Sequence, residues 1–209
     1  IGQESWSESL GHYPVNRKRF PNGLDDLREA VDRFHAAGFR CGLHFLAAAI
    51  PNNDPYLTPV PDDRLVMDEF TELGEAVDEK ATFIPTSTPP TKFPAIEGGY
   101  LGDSAVVRIG DELIFYGSTS LEEPYGFRDC RRGMYGTTAA AHAQGSRISH
   151  VMRGYGYFLH DPDKGLTQEV ARNLAAVANG CGADMLYFDG SERLKGPHWR
   201  YNALLHKAY

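Results

Sequence analysis

The stretch that decides the predicted fold is Ala183-Asp184-Met185-Leu186-Tyr187-Phe188-Asp189-Gly190-Ser191-Glu192. Its apolar run ends abruptly in acid, glycine, serine and acid, which is typical of a buried strand that delivers carboxylates to a loop. Gly190 allows the chain to turn directly after Asp189. We therefore predict a parallel strand that ends in a functional aspartate, with Glu192 beside it.

An amphipathic helix is predicted near the start of the chain. Apolar residues recur at spacings of three and four from Leu24 to Phe34, and Gly38 ends the pattern. Residues 39–46 follow directly as an apolar strand, which carries His44 near its carboxyl end. A helix joined to a strand by a short link is half of a βαβ unit.

The same α/β pattern returns in the last third of the chain. Residues 153–160 are predicted to form a strand that ends in His160, and residues 167–179 a helix that leads to the strand of Asp189. This order favours parallel strands with right-handed crossovers. We therefore predict an α/β fold, a partial or complete (β/α)8 TIM-type barrel, in which Asp189 and His44 share the rim where such barrels carry their chemistry.

Residues 51–150 are predicted to form an inserted antiparallel β subdomain between two barrel segments, residues 1–50 and residues 151–209. The insertion begins with proline-rich loops, because proline fixes φ and removes a backbone donor. Residues 104–109 and 112–116 are separated by a Gly-Asp pair, which predicts a two-residue β-hairpin.

A glycine-punctuated run, RRGMYGTTAAAHAQG, follows the hairpin at residues 131–145. It resembles a small β module that occurs as an accessory or inserted element in several unrelated large proteins. That resemblance implies a structural unit without chemistry of its own. Arg132 and His142 are expected to tie the loop to itself through hydrogen bonds to backbone carbonyls, and the alternative is that they line a substrate cleft.

The composition argues against several classes of function. The chain has 209 residues and a net charge of -7, which gives no general attraction to nucleic acid or to an anionic membrane. No apolar run approaches the roughly 18 residues of a membrane span, and the three cysteines lack metal-ligand spacing. We expect no metal and no cofactor.

Because a complete barrel takes about 250 residues, and the first residue is Ile1, we expect the chain to belong to a longer protein, for which a secreted or periplasmic location stays open.

Two carboxylates near the end of one strand suit the cleavage of a glycosidic bond, which needs a nucleophile and a proton donor. We predict Asp189 and Glu192 as catalytic residues acting on a carbohydrate, and the alternative for Glu192 is a sugar-binding or salt-bridged role. The predicted substrate-binding residues are Trp6, His44, Tyr187, His160, Arg193, His198 and Trp199. The alternatives are that Trp6 only plugs the mouth of the barrel and that His44 is a packing residue. A non-catalytic carbohydrate-binding protein and a polysaccharide lyase are the alternative functions.

The run W…RFPNGLDDLREAVDRFHAAGFRCGLHF, from Trp6 to Phe45, resembles the α-galactosidase-like (clan D type) retaining glycoside hydrolases. In those enzymes a Trp-containing loop precedes an FP-x-GL sequence, a helix and a GL strand. The resemblance implies a (β/α)8 barrel with an aspartate nucleophile at the end of a later strand, and Asp189 in MLYFDG matches that aspartate. The family commonly has Lys two positions earlier, where this chain has Tyr187, so the sugar is left open.

Overall fold

The computed structural model describes residues 1–98, 104–190 and 198–209. The helices are α1 (Gln3–Trp6), α2 (Leu24–Ala36), α3 (Leu166–Cys181) and α4 (His198–Ala208). The strands are β1 (Gly42–Leu46), β2 (Ala49–Ile50), β3 (Met67–Glu72), β4 (Ile84–Pro85), β5 (Val106–Ile109), β6 (Glu112–Phe115), β7 (Ser118–Ser120), β8 (Gly126–Arg128), β9 (Arg147–Val151), β10 (Arg153–Gly154), β11 (Tyr157–Leu159) and β12 (Met185–Asp189). Two compact units divide the chain: unit 1 is Ile1–Asp54 with His160–Tyr209, and unit 2 is Pro55–Leu159.

In unit 1, β1 and β12 form a parallel pair in continuous register, which begins with Gly42 opposite Met185. Side chains along each strand alternate between the two faces of the pair. Leu43 and Phe45 point to one face and are completely buried, whereas Met185 and Tyr187 point to the other face and are exposed. Two of the strands predicted to be parallel are therefore neighbours, and one face of the pair lies at the surface of the described structure.

The helices α2 and α3 each bury one apolar stripe. Leu27 and Val31 are the buried residues of α2, and Leu174 is among those of α3. The two helices pack against each other, and the Arg28 guanidinium donates a 2.7 Å hydrogen bond to the carbonyl of Gly180 near the end of α3. The amphipathic helix predicted from residue spacing is thus confirmed as α2.

Unit 2 consists mainly of two antiparallel sheets, with strand orders β3-β9-β5-β6 and β4-β8-β7. The predicted hairpin is confirmed, since β5 and β6 pair with Ile109 opposite Glu112. Residues from both sheets share one buried apolar cluster, whose members are Leu73, Ile84, Phe93, Ala105, Val107, Ile109, Ile114, Tyr116, Phe127, Cys130 and Ile148. Burial of these side chains is the main favourable term holding the two sheets together.

The (β/α)8 TIM barrel predicted from the sequence is wrong. Such a barrel needs eight parallel strands, each followed by a helix, whereas the described residues contain four helices and the two sheets of unit 2 are antiparallel. The physical reason is the length of the connections. Short turns return the chain antiparallel to the preceding strand, and a parallel strand requires a crossover of a dozen or more residues. The parallel strands β1 and β12 are connected by residues 47–184, which include unit 2 and α3.

The single strand predicted at residues 153–160 is also wrong, because the structure forms the antiparallel pair β10 and β11 there. Tyr155 and Gly156 separate these strands and have φ angles of 55° and 79°. Two successive residues with positive φ are the signature of a two-residue hairpin turn. Tyrosine seldom adopts this conformation, so the sequence carried no clear signal for the turn.

Buried Glu112 is the centre of the glycine-punctuated loop. Its carboxylate accepts two 2.8 Å hydrogen bonds from the Arg132 guanidinium and one of 2.7 Å from Nε2 of His142. The amides of Gly133 and Ala140 donate to the same carboxylate at 2.8 and 3.2 Å. Arg132 also donates to the Ala140 carbonyl, which confirms its predicted role in tying the loop to itself. The shared carboxylate was not predicted.

Gly133 occupies a position in this loop that other residues fit poorly. Its φ is 57°, and a Cβ atom added there would lie 2.9 Å from the backbone nitrogen of Ala139. The glycine lets its own amide approach Glu112 without a steric clash. Burial alone would raise the pKa of the Glu112 carboxyl, but the hydrogen bonds from Arg132, His142 and the two amides outweigh burial and lower the pKa below its ordinary value of 4.5.

We expect Glu112→Gln to destabilise the protein by about 3 kcal/mol, because it leaves the buried Arg132 guanidinium without a counter-charge. The free energy of unfolding in urea measures this loss. Glu122→Gln is the matched control, since Glu122 is exposed and the change should cost less than about 0.5 kcal/mol. Equal stabilities of the two variants would contradict the role of Glu112.

The stabilising effect of the ionised Glu112 should depend on pH. Because its pKa is lowered in the fold, its contribution is present above the ordinary value of 4.5 and is lost as the pH falls through the folded pKa. Between about pH 5 and about pH 3, the free energy of unfolding of the wild type should therefore fall more steeply than that of Glu112→Gln. Parallel slopes for the two proteins would contradict this expectation.

Candidate functional site

Asp189 and His44 meet at the carboxyl ends of the parallel strands of unit 1. Asp189 is the last residue of β12, and His44 lies opposite Tyr187 in β1. Because residues two apart on a strand share a face, the His44 ring reaches the Asp189 carboxylate diagonally, with 2.9 Å between Nε2 and Oδ2. The side chain of His44 is 31% exposed, and that of Asp189 is 40% exposed. Gly190 has a φ of 78°, as its predicted turning role requires.

An aromatic side chain borders this pair. The ring of Tyr187 stacks on the His44 imidazole, with 5.3 Å between the ring centroids and an interplanar angle of 30°. Tyr187 is 55% exposed, so the ring also faces solvent. Together, Asp189, His44 and Tyr187 form a partly exposed group that has an acid, a base and an aromatic surface.

Trp6 fixes the backbone of His44 in this group. Its indole Nε1 donates a 2.8 Å hydrogen bond to the carbonyl of His44, and the side chain has no exposed area. The ring also stacks on Tyr13, at 5.8 Å between centroids. No face of the indole is available to a sugar in this structure, so Trp6 contributes to the site by fixing the strand that carries His44.

His160 is likewise buried. Its Nδ1 lies 2.8 Å from the Thr167 hydroxyl, and its carbonyl accepts a 2.9 Å hydrogen bond from the hydroxyl of Tyr201. Burial lowers the pKa of His160 to about 3, so the imidazole is neutral near pH 7. Its contacts are those of a packing residue.

Of the remaining predicted residues, only Trp199 has a described side chain. Trp199 is 70% exposed on α4. Glu192 and Arg193 lie outside the described residues, and so does the side chain of His198, the first residue of α4. Their predicted roles stay predictions.

A second His–Asp pair lies at the opposite end of the same two strands. Asp184 accepts a 2.7 Å hydrogen bond from the amide of Cys41 and a 2.8 Å bond from Nε2 of His35. The hydrogen bond from the Cys41 amide is the largest cause that lowers the pKa of the Asp184 carboxyl, and the hydrogen bond from His35 is the next largest. Because its carboxylate bonds to the backbone immediately before β1, this pair fastens the beginnings of the strands together.

A third pair, His12 and Asp54, was missed by the sequence reasoning. Nδ1 of His12 lies 3.0 Å from the carboxylate of Asp54. The Asp54 side chain is only 1% exposed, whereas that of His12 is 40% exposed. Their positions in the chain carry no recognisable spacing. The surrounding Pro51-Asn52-Asn53-Asp54-Pro55 indicated an ordered loop and nothing more.

Comparison with known proteins finds no family model, no curated protein and no solved structure that matches the chain. The resemblance to α-galactosidase-like enzymes therefore stays a prediction. Within the described ranges, no helix combines the length and the apolar character that crossing a membrane requires. Nor do three or more His, Cys, Asp or Glu side chains converge there as metal ligands.

We expect Trp6→Phe to lower the stability of the protein by about 2 kcal/mol, since it removes the hydrogen bond to His44 and leaves a small cavity. Chemical unfolding followed by circular dichroism measures the effect. Trp199→Phe makes the same change at an exposed position and should cost less than about 0.5 kcal/mol. A neutral Trp6→Phe change would show that the indole does not hold β1.

Proposed function

We propose that unit 1 carries a hydrolytic site for glycosidic bonds, in which Asp189 is the nucleophile. The proposal does not depend on a barrel. It depends on one observation: a half-exposed carboxylate at the carboxyl ends of parallel strands has one oxygen held by His44 at 2.9 Å. The edge formed by these strand ends is a common position for chemistry in α/β proteins.

The His44 bond suits Asp189 to nucleophilic attack. A donor on Oδ2 holds the carboxylate in one orientation, and Oδ1 is the oxygen that we propose to attack the substrate. Both residues lie on strands, and Trp6 holds the backbone of His44. A nucleophile held in one orientation has a smaller entropic barrier to attack.

Two further features favour a neutral sugar as the substrate. The exposed ring of Tyr187 stacks on His44, which bonds to the Asp189 carboxylate. This ring offers an apolar surface to the C–H face of a sugar ring. The net charge of -7 disfavours polyanionic substrates. The acidic protein and the aromatic ring together fit an uncharged oligosaccharide, whose identity is left open.

We expect Asp189→Asn to reduce hydrolysis by a factor on the order of 10³ or more, because the amide is a poor nucleophile. Reducing ends released from a panel of neutral plant and algal oligosaccharides measure the activity. Asp184→Asn is the matched control: it makes the same change in the same segment, at the opposite end of the strands, and should retain activity.

Three outcomes would contradict the proposed function. Hydrolysis that is unchanged in Asp189→Asn would show that Asp189 is not the nucleophile. Unsaturated products would indicate a lyase in which His44 or Tyr187 is the base. Saturable binding of the oligosaccharides without any turnover by the wild type would indicate a carbohydrate-binding protein.

A further inference from the structure

The two ring nitrogens of His44 have different surroundings. Nε2 lies 2.9 Å from Oδ2 of Asp189. An ionised carboxylate only accepts hydrogen bonds, so Nε2 carries a proton whenever Asp189 is ionised. The other ring nitrogen, Nδ1, is therefore the atom at which the His44 imidazole gains and loses a proton.

Nδ1 of His44 has no competing partner. Among the described residues, none forms a hydrogen bond with this atom. Nδ1 is also not one of the buried polar atoms that lack a partner, so it is both unbonded and accessible to solvent. Tyr187 stacks on the face of the ring, whereas a ring nitrogen bonds in the plane of the ring. A substrate oxygen can therefore reach Nδ1 without displacing a protein group.

The imidazole itself sets the spacing between Nδ1 and the nucleophile. His44 and Asp189 belong to one face of the β1–β12 pair, because His44 lies opposite Tyr187 and Asp189 follows Tyr187 by two residues. Nδ1 lies one ring width beyond the 2.9 Å contact between Nε2 and the carboxylate. This spacing is close to the separation of about 5 Å at which retaining glycosidases hold their nucleophile and their proton donor.

The backbone of His44 is fixed on the edge of β1. Its carbonyl accepts the 2.8 Å hydrogen bond from the Trp6 indole, and its amide donates a 2.9 Å bond to the carbonyl of Ile1. The Tyr187 ring and the Asp189 carboxylate hold the imidazole in turn. A proton donor in a fixed position is what general acid–base catalysis requires.

The other candidates for this role in unit 1 are less well supported. His160 is buried and neutral, and His35 is bonded to Asp184 at the opposite end of the strands. Glu192, the second carboxylate predicted from the sequence, lies outside the described residues and is the competing candidate.

We infer that Nδ1 of His44 is the general acid and base of the reaction proposed for Asp189. This inference rests on the proposed function. In the first step, Oδ1 of Asp189 bonds to the anomeric carbon, the bond from that carbon to the leaving oxygen breaks, and the leaving oxygen takes the proton from Nδ1. In the second step, Nδ1 accepts a proton from water, the water oxygen bonds to the anomeric carbon, and Asp189 leaves as a carboxylate.

Glutamine at position 44 separates the two roles of the imidazole. Its amide nitrogen replaces Nε2 as a donor to Oδ2 of Asp189, but an amide does not exchange a proton with a substrate as Nδ1 does. His44→Gln should lower hydrolysis of an unactivated oligosaccharide by about 10²-fold or more, the usual contribution of general acid catalysis.

A dinitrophenyl glycoside of the same sugar tests the proton transfer directly, because its leaving group needs no proton. On this substrate His44→Gln should release a burst of dinitrophenol at a rate near that of the wild type. Added azide should then accelerate turnover and form the glycosyl azide, because azide attacks without a general base. These two results would not follow from a general loss of packing.

Three further variants serve as controls. His44→Asn is too short to donate to Asp189 Oδ2 from the place of Nε2, so it should slow both substrates. His35→Gln makes the same change in another His–Asp pair and should leave both rates unchanged. Glu192→Gln should not reproduce the difference between the two substrates.

The outcomes separate this inference from the function on which it rests. An inactive wild type would overturn the proposed function and the role of Nδ1 together. An active wild type with an inactive Asp189→Asn variant would support the nucleophile. The role of His44 alone is then overturned by any of three results: His44→Gln hydrolyses the unactivated oligosaccharide as fast as the wild type, it loses both substrates equally without azide rescue, or Glu192→Gln is the variant that azide rescues.

Discussion

The in-register pairing of β1 and β12 joins two segments of unit 1 that the whole of unit 2 separates in the chain. Five consecutive pairs align from Gly42 with Met185 to Leu46 with Asp189. A slip of one residue would turn His44 from the exposed face to the buried face, because side chains alternate along a strand. Both the packing of unit 1 and the meeting of His44 with Asp189 depend on this register.

The three His–Asp pairs of unit 1 illustrate how surroundings assign different roles to the same two side chains. The pairs are His35 with Asp184, His44 with Asp189 and His12 with Asp54. In the first, the carboxylate bonds to backbone and fastens the strand beginnings. In the second, the carboxylate is half-exposed and bonds to a histidine side chain at the carboxyl ends of the strands. In the third, the aspartate is buried and the histidine is exposed.

Unit 2 contains a different use of a buried charge. Glu112 collects the donors of the glycine-punctuated loop, and its ionised form is favoured although it is removed from water. A buried carboxylate is tolerated only when nearly all of its hydrogen-bonding capacity is satisfied. Arg132, Gly133 and His142 of the loop are therefore explained by their bonds to one carboxylate. That carboxylate belongs to Glu112, which lies outside the loop, in the preceding hairpin of β5 and β6.

The sequence by itself determined the local elements of this protein. The apolar spacing of α2 and the Gly-Asp turn between β5 and β6 depend on residues close together in the chain, which periodicity and turn chemistry describe well. Asp189 was placed at a strand end for the same reason. Only the tertiary structure decided which strands pair, that Trp6 is buried, and that His12 meets Asp54. Those contacts join residues distant in the chain, and their free energy comes from burial and register that no local pattern encodes.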